Sequence, residues 1–477
     1  MKKILFVTSE VHPLIKTGGL ADVSGSLPKA LAGLGADIRI ILPNYQGIKK
    51  FDDIYYKSTI KVNDSEVNIL ETRLPGTNVI VWLVDYPKFY KLPGNPYTDE
   101  VGQPWANSAE RFGLFCRAVV EASMNRIYLD WKPDIVHCND WQSGLVPALL
   151  SLEQQRPSTL FTIHNLAYQG VFPKSVNYAL NLPEQLVDSD GIEFHGMISF
   201  LKSGLAYSDR ITTVSPTYAK EIQTTEFGCG LEGLLSYRKD VLSGILNGVD
   251  TDDWNPETDP NLSANFSHTK LNKKLLNKSA LQQKLSLPVN KKIPVFGLIS
   301  RLVEQKGIDL LLDCLPDVLS LPVQLVILGS GGKDFEQRLL YFAKANSKKM
   351  TVKLGYDESL AHLIEAGSDI FLMPSRYEPC GLNQMYSQLY GTIPIVNKVG
   401  GLADTVTDAL PESLGNKTAT GIAFDGALSG TFFEAIKRAV LLFSQPDNWK
   451  QMQINGMQKD FSWQQSAEQY LALYKQL

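Results

Sequence analysis

Short, continuous apolar runs alternate with helical patterns along this chain. Runs at 4–8, 38–42, 79–84, 135–138, 160–163 and 211–214 predict six strands, and runs at 295–299, 323–328, 351–354, 370–373 and 393–396 predict five more. A strand that is apolar at every position is buried on both faces, so the pattern predicts parallel sheets with helices packed on either side. The alternation breaks between Asn247 and Leu275, where Gly248, Pro256, Pro260 and many Asn, Asp and Ser residues stand. Glycine and proline in a polar stretch punctuate a chain, so 246–275 reads as hinge and linker. The expected organisation is a Rossmann-like domain over 1–245, a second over 276–455, and a final helical stretch, 456–477, that is able to pack back on the first. The fold class is α/β, with two doubly wound domains facing across a cleft, and the Gly248 junction is the expected place for that cleft to close.

Two loops carry the first chemistry. After the first run comes Lys16-Thr17-Gly18-Gly19-Leu20-Ala21-Asp22; after the seventh comes Arg301-Leu302-Val303-Glu304-Gln305-Lys306-Gly307. Each reads as strand, tight turn, helix, which aims backbone N–H groups and a helix dipole at whatever lies beyond the strand. With the cations Lys16, Arg301 and Lys306, they predict one anionic ligand, a diphosphate, shared by the two domains. The richest stretch is Pro374-Ser375-Arg376-Tyr377-Glu378-Pro379-Cys380-Gly381-Leu382-Asn383, directly after the strand at 370–373. Gly381, Leu382 and Asn383 open a helix whose first N–H groups suit phosphate oxygens. Glu378 stands at a strand's carboxyl end, where open α/β sheets bind ligands; an acid favoured by the helix dipole is the plain alternative. The loop Val399-Gly400-Gly401 offers further backbone donors.

Composition narrows the classes. A chain of 477 residues is too long for one ordinary core. Its net charge of −4 makes a nucleic-acid-binding face unexpected, so any phosphate site must be local. No stretch approaches the ~18 apolar residues of a membrane helix, and the amino-terminal run is too short for a signal sequence before it meets Glu10 and His12. Five scattered cysteines, Cys116, Cys138, Cys229, Cys314 and Cys380, form neither a disulfide framework nor a zinc pattern, which points to the cytoplasm. Asp250-Thr251-Asp252 mimics a metal-binding Asp-x-Asp, but a turn after Asn247-Gly248 is the better reading, and no metal or other cofactor is expected. Gly329-Ser330-Gly331-Gly332 lacks the dinucleotide spacing, and His137 is open to a structural or a functional reading.

Four long motifs then occur in order: Lys16 to Asp22; Phe161-Thr162-Ile163-His164-Asn165-Leu166-Ala167-Tyr168-Gln169-Gly170; Gly244-Ile245-Leu246-Asn247-Gly248-Val249-Asp250; and Ser375 to Leu382. In these the chain resembles bacterial glycogen synthases and plant starch synthases over essentially its whole length. The absence of a transit peptide favours the bacterial form. The resemblance implies a GT-B fold and a retaining transfer of glucose from ADP-glucose to the non-reducing 4-OH of an α-1,4-glucan. It implies that Lys16, Gly18 and Gly19 approach the donor's distal phosphate, and that Arg301 and Lys306 neutralise the leaving diphosphate. His164 and Asn165 would line the glucosyl pocket with Asp140 nearby, Glu378 would hold the transferred sugar, and Tyr356 would stack on adenine. Cys380 would pack beside the phosphates, and Asp22, Tyr97 and Asn247 would serve the acceptor.

A retaining hydrolase places two carboxylates about 5–5.5 Å apart. Here the candidates, Glu378 and Asp140, fall in different predicted domains, which favours front-face departure and attack over a covalent intermediate. Two departures stand out. Tyr386 occupies the position where many retaining GT-B enzymes carry a ribose-binding Glu, and Asn383 stands where relatives more often show Thr. The rivals are a GT-B enzyme using UDP-glucose, a non-catalytic glucan-binding protein and, more distantly, a nicotinamide dehydrogenase.

Overall fold

The structure, a computed structural model, describes residues 2–50, 53–127 and 129–477. The chain forms two compact units, Met1–Gly248 with Trp463–Leu477, and Val249–Ser462.

The first unit is built on a nine-stranded sheet. Its strands are β1 (Lys3–Val7), β2 (Asp37–Pro43), β3 (Tyr55–Val62), β4 (Ser65–Arg73), β5 (Ile80–Asp85), β6 (Ile135–Asn139) and β7 (Ser158–Ile163). Three short strands, β8 (Val171–Pro173), β9 (Glu193–Phe194) and β10 (Met197–Ser199), make a separate small sheet, and β11 (Arg210–Thr213) and β12 (Leu242–Gly244) complete the large one. The order is β12-β11-β7-β6-β1-β2-β5-β4-β3, and the neighbours from β12 to β5 pair in parallel. The order reverses between β1 and β6, and such a switch point leaves a crevice at the strands' carboxyl ends.

The antiparallel hairpin β3–β4 is a correction to an all-parallel sheet. Only alternate residues of these strands are buried (Ile60 and Val62, Val67 and Ile69), so neither presents a continuous apolar run. The turn runs through Asn63, which takes a left-handed φ of 51°.

The carboxyl-terminal helix Trp463–Tyr474 seals this unit. Trp463, Ala467, Tyr470, Leu473 and Tyr474 are buried in its core. The Tyr474 hydroxyl lies 2.7 Å from Nδ1 of His137, whose Nε2 lies 2.6 Å from Thr162 Oγ1. His137 is thereby structural. Gly248 is demanded by the same helix, because a Cβ there would stand 2.6 Å from the Trp463 backbone.

The second unit has six strands, β13 (Val295–Ile299), β14 (Gln324–Gly329), β15 (Met350–Leu354), β16 (Ile370–Met373), β17 (Ile393–Asn397) and β18 (Ile422–Phe424). They pair in parallel in the order β15-β14-β13-β16-β17-β18, with a switch point between β13 and β16. The period-2 side-chain alternation, with both faces covered, explains why the inner strands β13, β14, β16 and β17 are mainly apolar, whereas the edge strand β15 carries Thr351 and Lys353. Phe296, Leu298, Leu325, Ile327, Ile370 and Leu372 enter one core, while Val295, Val326, Leu328, Phe371 and Met373 enter another.

The reading of 246–275 as hinge and linker is corrected from Val249 onward. Trp254 is stacked between His362 and Tyr386, with ring centroids 3.9 and 3.8 Å away. Buried Asp259 takes His362 Nδ1 at 2.7 Å and the Tyr390 hydroxyl at 2.5 Å. Lys274, at the start of the helix Lys274–Lys284, is buried with its ammonium on Ala366 O at 2.8 Å and Thr392 Oγ1 at 2.7 Å. A polar stretch makes a poor continuous run yet packs firmly once its few aromatic and charged anchors find partners.

The five cysteines are free thiols, and all but Cys229 are buried. Among the described residues no helix is long and apolar enough to cross a membrane.

Candidate active site

In the second unit, the expected residues converge at the β13/β16 switch point. The turn after β13 ends at Gly307, whose φ of 67° and close approach to Pro374 O (2.0 Å from a Cβ) require glycine. This seats the turn against the loop after β16, where the Arg376 N–H donates to Gln305 O at 2.9 Å. Lys306 Nζ then reaches Glu378 Oε2 at 2.5 Å, and the Ser375 hydroxyl donates to the same oxygen at 3.0 Å. Glu378 is 6% exposed, and the Lys306 side chain 20%. Ser375 is itself fixed by Asn397, whose amide donates to Ser375 O at 2.9 Å. Arg301 lies exposed at the mouth of the same turn, with Nη2 3.3 Å from Gln305 Oε1.

Gly381 takes a φ of 69° and redirects the chain into the helix Asn383–Leu389. Among the described residues, the N–H groups of Gly381, Leu382 and Asn383 meet no protein acceptor. These are the donors an anion at the end of β16 would use. Buried Cys380 packs against Gly401, so its place in this loop is structural.

Three expectations change here. The Gly401 N–H is spent on Glu378 O and Pro379 O, each at 3.2 Å, and a Cβ on Gly400 would stand 2.0 Å from Glu378 O. The Gly400-Gly401 pair therefore packs the Glu378 loop; the Gly401 donor is already taken. The Asn383 amide donates to Ile299 O at 2.8 Å, tying the helix to β13, so its side chain is committed inside the protein. Tyr386 is stacked on Trp254, which makes it a packing residue. Tyr356 stands on the turn after β15 and is 72% exposed, two strands from β13.

In the first unit, the residues gather at the ends of β1, β6 and β7, adjacent strands at the switch point. Glu10, just past β1, is 3% exposed. Its Oε2 accepts from the Thr17 N–H at 2.5 Å, the Thr17 hydroxyl at 2.8 Å and the Gly18 N–H at 3.3 Å, while its Oε1 accepts from the Tyr97 hydroxyl at 3.0 Å. Burial raises the Glu10 carboxyl above its ordinary range despite those bonds. Glu10 thus holds the 16–19 loop in place, and the polar end of Tyr97 belongs to that support. Lys16 Nζ pairs with Asp22 at 2.7 Å. Beyond the adjacent chain, no described atom lies within 4 Å of where a Cβ would stand on Gly18 or Gly19, so packing does not demand glycine there and the outer face of the loop is open.

Asp140 has a φ of 55° and accepts the His164 N–H on Oδ1 at 2.8 Å. Burial pushes its carboxyl up to about 7, against the lowering by the His164 and Asn165 N–H groups. His164 directs Nε2 at Asn139 Oδ1, 2.9 Å away, and burial lowers the ring to about 3, so it is neutral near pH 7. Asn165 uses its side-chain oxygen on the Ala167 N–H at 3.1 Å. Asn247 is buried near the end of this unit.

These shifts carry a stability prediction. His137, like His164, is lowered to about 3, by burial and then by His164 itself. Below about 6.5 the unfolded chain binds protons on these rings that the folded chain refuses, so stability falls with pH at up to about 1.4 kcal/mol per pH unit per ring. Asp140, raised to about 7, works in the opposite sense and gains stability as pH falls from 7 toward about 4. Buried Glu365, raised to about 8, works in the same sense as Asp140, so the expectation is a difference: between pH 6.5 and 5 the urea midpoint should fall more, or rise less, in the parent than in His137→Phe, and an equal slope in the two would refute it.

Three residues act here that the sequence reading did not select, namely Glu10, Asn139 and Ser375. An acid just past an apolar strand, close to a Thr-Gly-Gly turn whose N–H groups need acceptors, was the available signal for Glu10. Among the described residues, the group that brings potential cation ligands together is Asp253, Glu358 and His362, whose ligand atoms lie within 4.8 Å of one another, although Nδ1 of His362 already holds Asp259. The Asp250–Asp252 pair forms a turn, with the Asp252 N–H on Asp250 Oδ1 at 3.0 Å.

The comparisons fit this geometry. Residues 3–237 match the family model of the starch synthase catalytic domain, and 279–453 match that of glycosyl transferases group 1. The chain is 54% identical to glycogen synthase 1 of Methylococcus capsulatus over 474 residues, covering 99% of this chain and 96% of that one. It is 52% identical to the glycogen synthase of Cellvibrio japonicus across the full length of both. This chain belongs to the glycogen and starch synthase family. The catalytic domain of starch synthase IV from Arabidopsis thaliana, solved bound to ADP and acarbose, superposes with a TM-score of 0.87 at 33% identity, covering 100% of this chain and 99% of that one. The fold is GT-B, and the family member described here is a glycosyltransferase enzyme.

Proposed function

We propose that this enzyme transfers glucose from ADP-glucose to the non-reducing 4-OH end of an α-1,4-glucan with retention of configuration, elongating glycogen in the cytoplasm without membrane or nucleic-acid partners. The observation that carries the reading is the Lys306–Glu378 pair beside three open N–H groups at the β13/β16 switch point. It offers a buried carboxylate for a sugar and fixed donors for a diphosphate within one loop system. Membership of the family supports the substrate class, and the ADP and acarbose bound by the Arabidopsis relative are a nucleotide and a sugar mimic suited to such a transfer.

In this reading Arg301, Lys306 and the N–H groups of Gly381, Leu382 and Asn383 stabilise charge developing on the departing ADP. Lys16 and the Gly18-Gly19 backbone approach the distal phosphate from the open outer face of their loop, the Gly18 N–H being already on Glu10, and Tyr356 offers its exposed ring to adenine. Glu378 holds the glucosyl group as it becomes oxocarbenium-like, with His164, Asn165 and Asp140 serving the same sugar. Departure and attack occur on one face of C1, with the acceptor hydroxyl passing its proton to the leaving phosphate oxygen. Asn247, Asp22 and the ring of Tyr97 serve the acceptor. Fixed cations carry the role that a metal has in other transferases.

The test is glucose incorporation into a maltooligosaccharide from ADP-glucose or UDP-glucose, each in excess EDTA. The expected result is rapid, chelator-insensitive transfer from ADP-glucose, with an α-linked product by proton NMR. Preference for UDP-glucose would favour the rival donor, absence of transfer from either would favour a glucan-binding protein, and rescue by added Mg²⁺ would overturn the metal-free mechanism.

A further inference from the structure

We propose that Asn139 is a positioning residue that fixes His164 as its Nε2–H tautomer, so that the ring presents an unprotonated Nδ1 to its ligand. The argument begins with the amide of Asn139, which is 1% exposed at the last position of β6. Its Nδ2 lies 3.0 Å from Val7 O and 3.3 Å from His137 O. Both are backbone carbonyls, which only accept, so this end of the amide must be NH₂. The end facing His164 is therefore Oδ1, also an acceptor. At 2.9 Å from Oδ1, Nε2 of His164 must carry a proton. A neutral imidazole has one N–H, so Nδ1 is left with its lone pair. Among the described residues Nδ1 has no protein partner, and it is not sealed from solvent.

The backbone is fixed as firmly as the ring, since the His164 N–H is held by Asp140 Oδ1. The titratable groups facing this ring are His137, on the same strand as Asn139, and Asp140, whose own charge responds to Glu10. The chemical consequence is a direction. A histidine set this way accepts a hydrogen bond, so it selects a hydroxyl that can donate one. An imidazolium or the opposite tautomer would instead present an N–H donor at Nδ1 and repel that proton. The relevance to turnover rests on the proposed function, in which His164 lines the sugar pocket; the tautomer itself does not.

The test therefore has two arms. The protein has six histidines, and in ¹⁵N-histidine-labelled enzyme the His164 resonances are identified by their loss in His164→Gln. Two-bond ¹H–¹⁵N spectra should show a protonated Nε2 and an unprotonated Nδ1 at pH 7, unchanged at pH 5.5. The opposite tautomer, or a ring titrating near its ordinary value of about 6.5, would overturn the proposal. In the kinetic arm, Asn139→Asp supplies an acceptor that also stabilises the imidazolium. Its kcat/KM should fall more at pH 6 than at pH 8.5, by about tenfold per pH unit along the new acid limb. A uniform loss at all pH values would mean that Asn139 only supports the fold and would also overturn the proposal. If that variant does not fold, the spectrum of the parent decides. Parent-like turnover in His164→Gln, with the expected spectrum, would sink the placement of His164 at the sugar while supporting the role of Asn139.

Discussion

Glu378→Gln is expected to lower kcat by about 10²-fold or more while moving KM little, because the carboxylate is assigned to a charge that appears only in the transition state. The substitution keeps the shape of the side chain and an oxygen that can accept from Lys306 and Ser375, so the loop should remain folded. What it removes is the negative charge, held at 2.5 Å from the Lys306 ammonium in a group only 6% exposed. Glu378→Ala should lose at least as much. Its stability cost is expected to be modest, because Lys306 can turn its ammonium to solvent, being 20% exposed. The measurement is steady-state transfer from ADP-glucose, with thermal unfolding run alongside. A Glu378→Gln enzyme that melts like the parent and retains kcat within about threefold would remove Glu378 from the mechanism.

That prediction starts from a motif visible in the sequence, and the reason it was visible is physical. Strands buried on both faces announce themselves as continuous apolar runs, and in open α/β sheets the chemistry sits where those runs stop. Lys16, His164, Arg301, Lys306 and Glu378 all lie just past such an end. The β3–β4 hairpin was not visible for the converse reason, since half its side chains face solvent. The segment after Val249 was misread because its order comes from distant partners: Trp254 needs His362 and Tyr386, and Asp259 needs Tyr390. No local pattern encodes those pairings.

The same limit applies inside the site. Ser375 and Asn139 act by holding another side chain, and Glu10 by holding the backbone of a loop. Polar residues of this kind look ordinary in one dimension. Conversely, Gly400-Gly401 looked like a donor pair, yet a Cβ at Gly400 or Gly401 would collide with Glu378 O or Cys380 O. A glycine marks close approach of something, and the sequence alone does not say whether that is a ligand or the protein itself.

Lys306 and Arg301 are expected to be equally costly to lose and differently costly to fold without. Each alanine variant should forfeit roughly 3 kcal/mol or more in kcat/KM, the scale of one preorganised donor to a developing charge. Lys306→Ala should also lower the melting temperature, because it strands a buried carboxylate with only the Ser375 hydroxyl at its Oε2, a loss of about 1–3 kcal/mol. Arg301 is exposed, so its alanine variant should melt like the parent. Lys306→Arg should not restore full activity, since a planar fork cannot occupy the place of a compact ammonium at 2.5 Å from Glu378. The double variant Lys306→Ala with Glu378→Gln separates the two effects. Neutralising the stranded carboxylate should recover much of the lost stability, giving a coupling between the two sites, while activity stays as low as in the worse single variant. Near-parent turnover in both alanine variants would mean that the diphosphate is held by other groups, and a fully additive loss of stability in the double variant would mean that the Lys306–Glu378 pair does not form in solution.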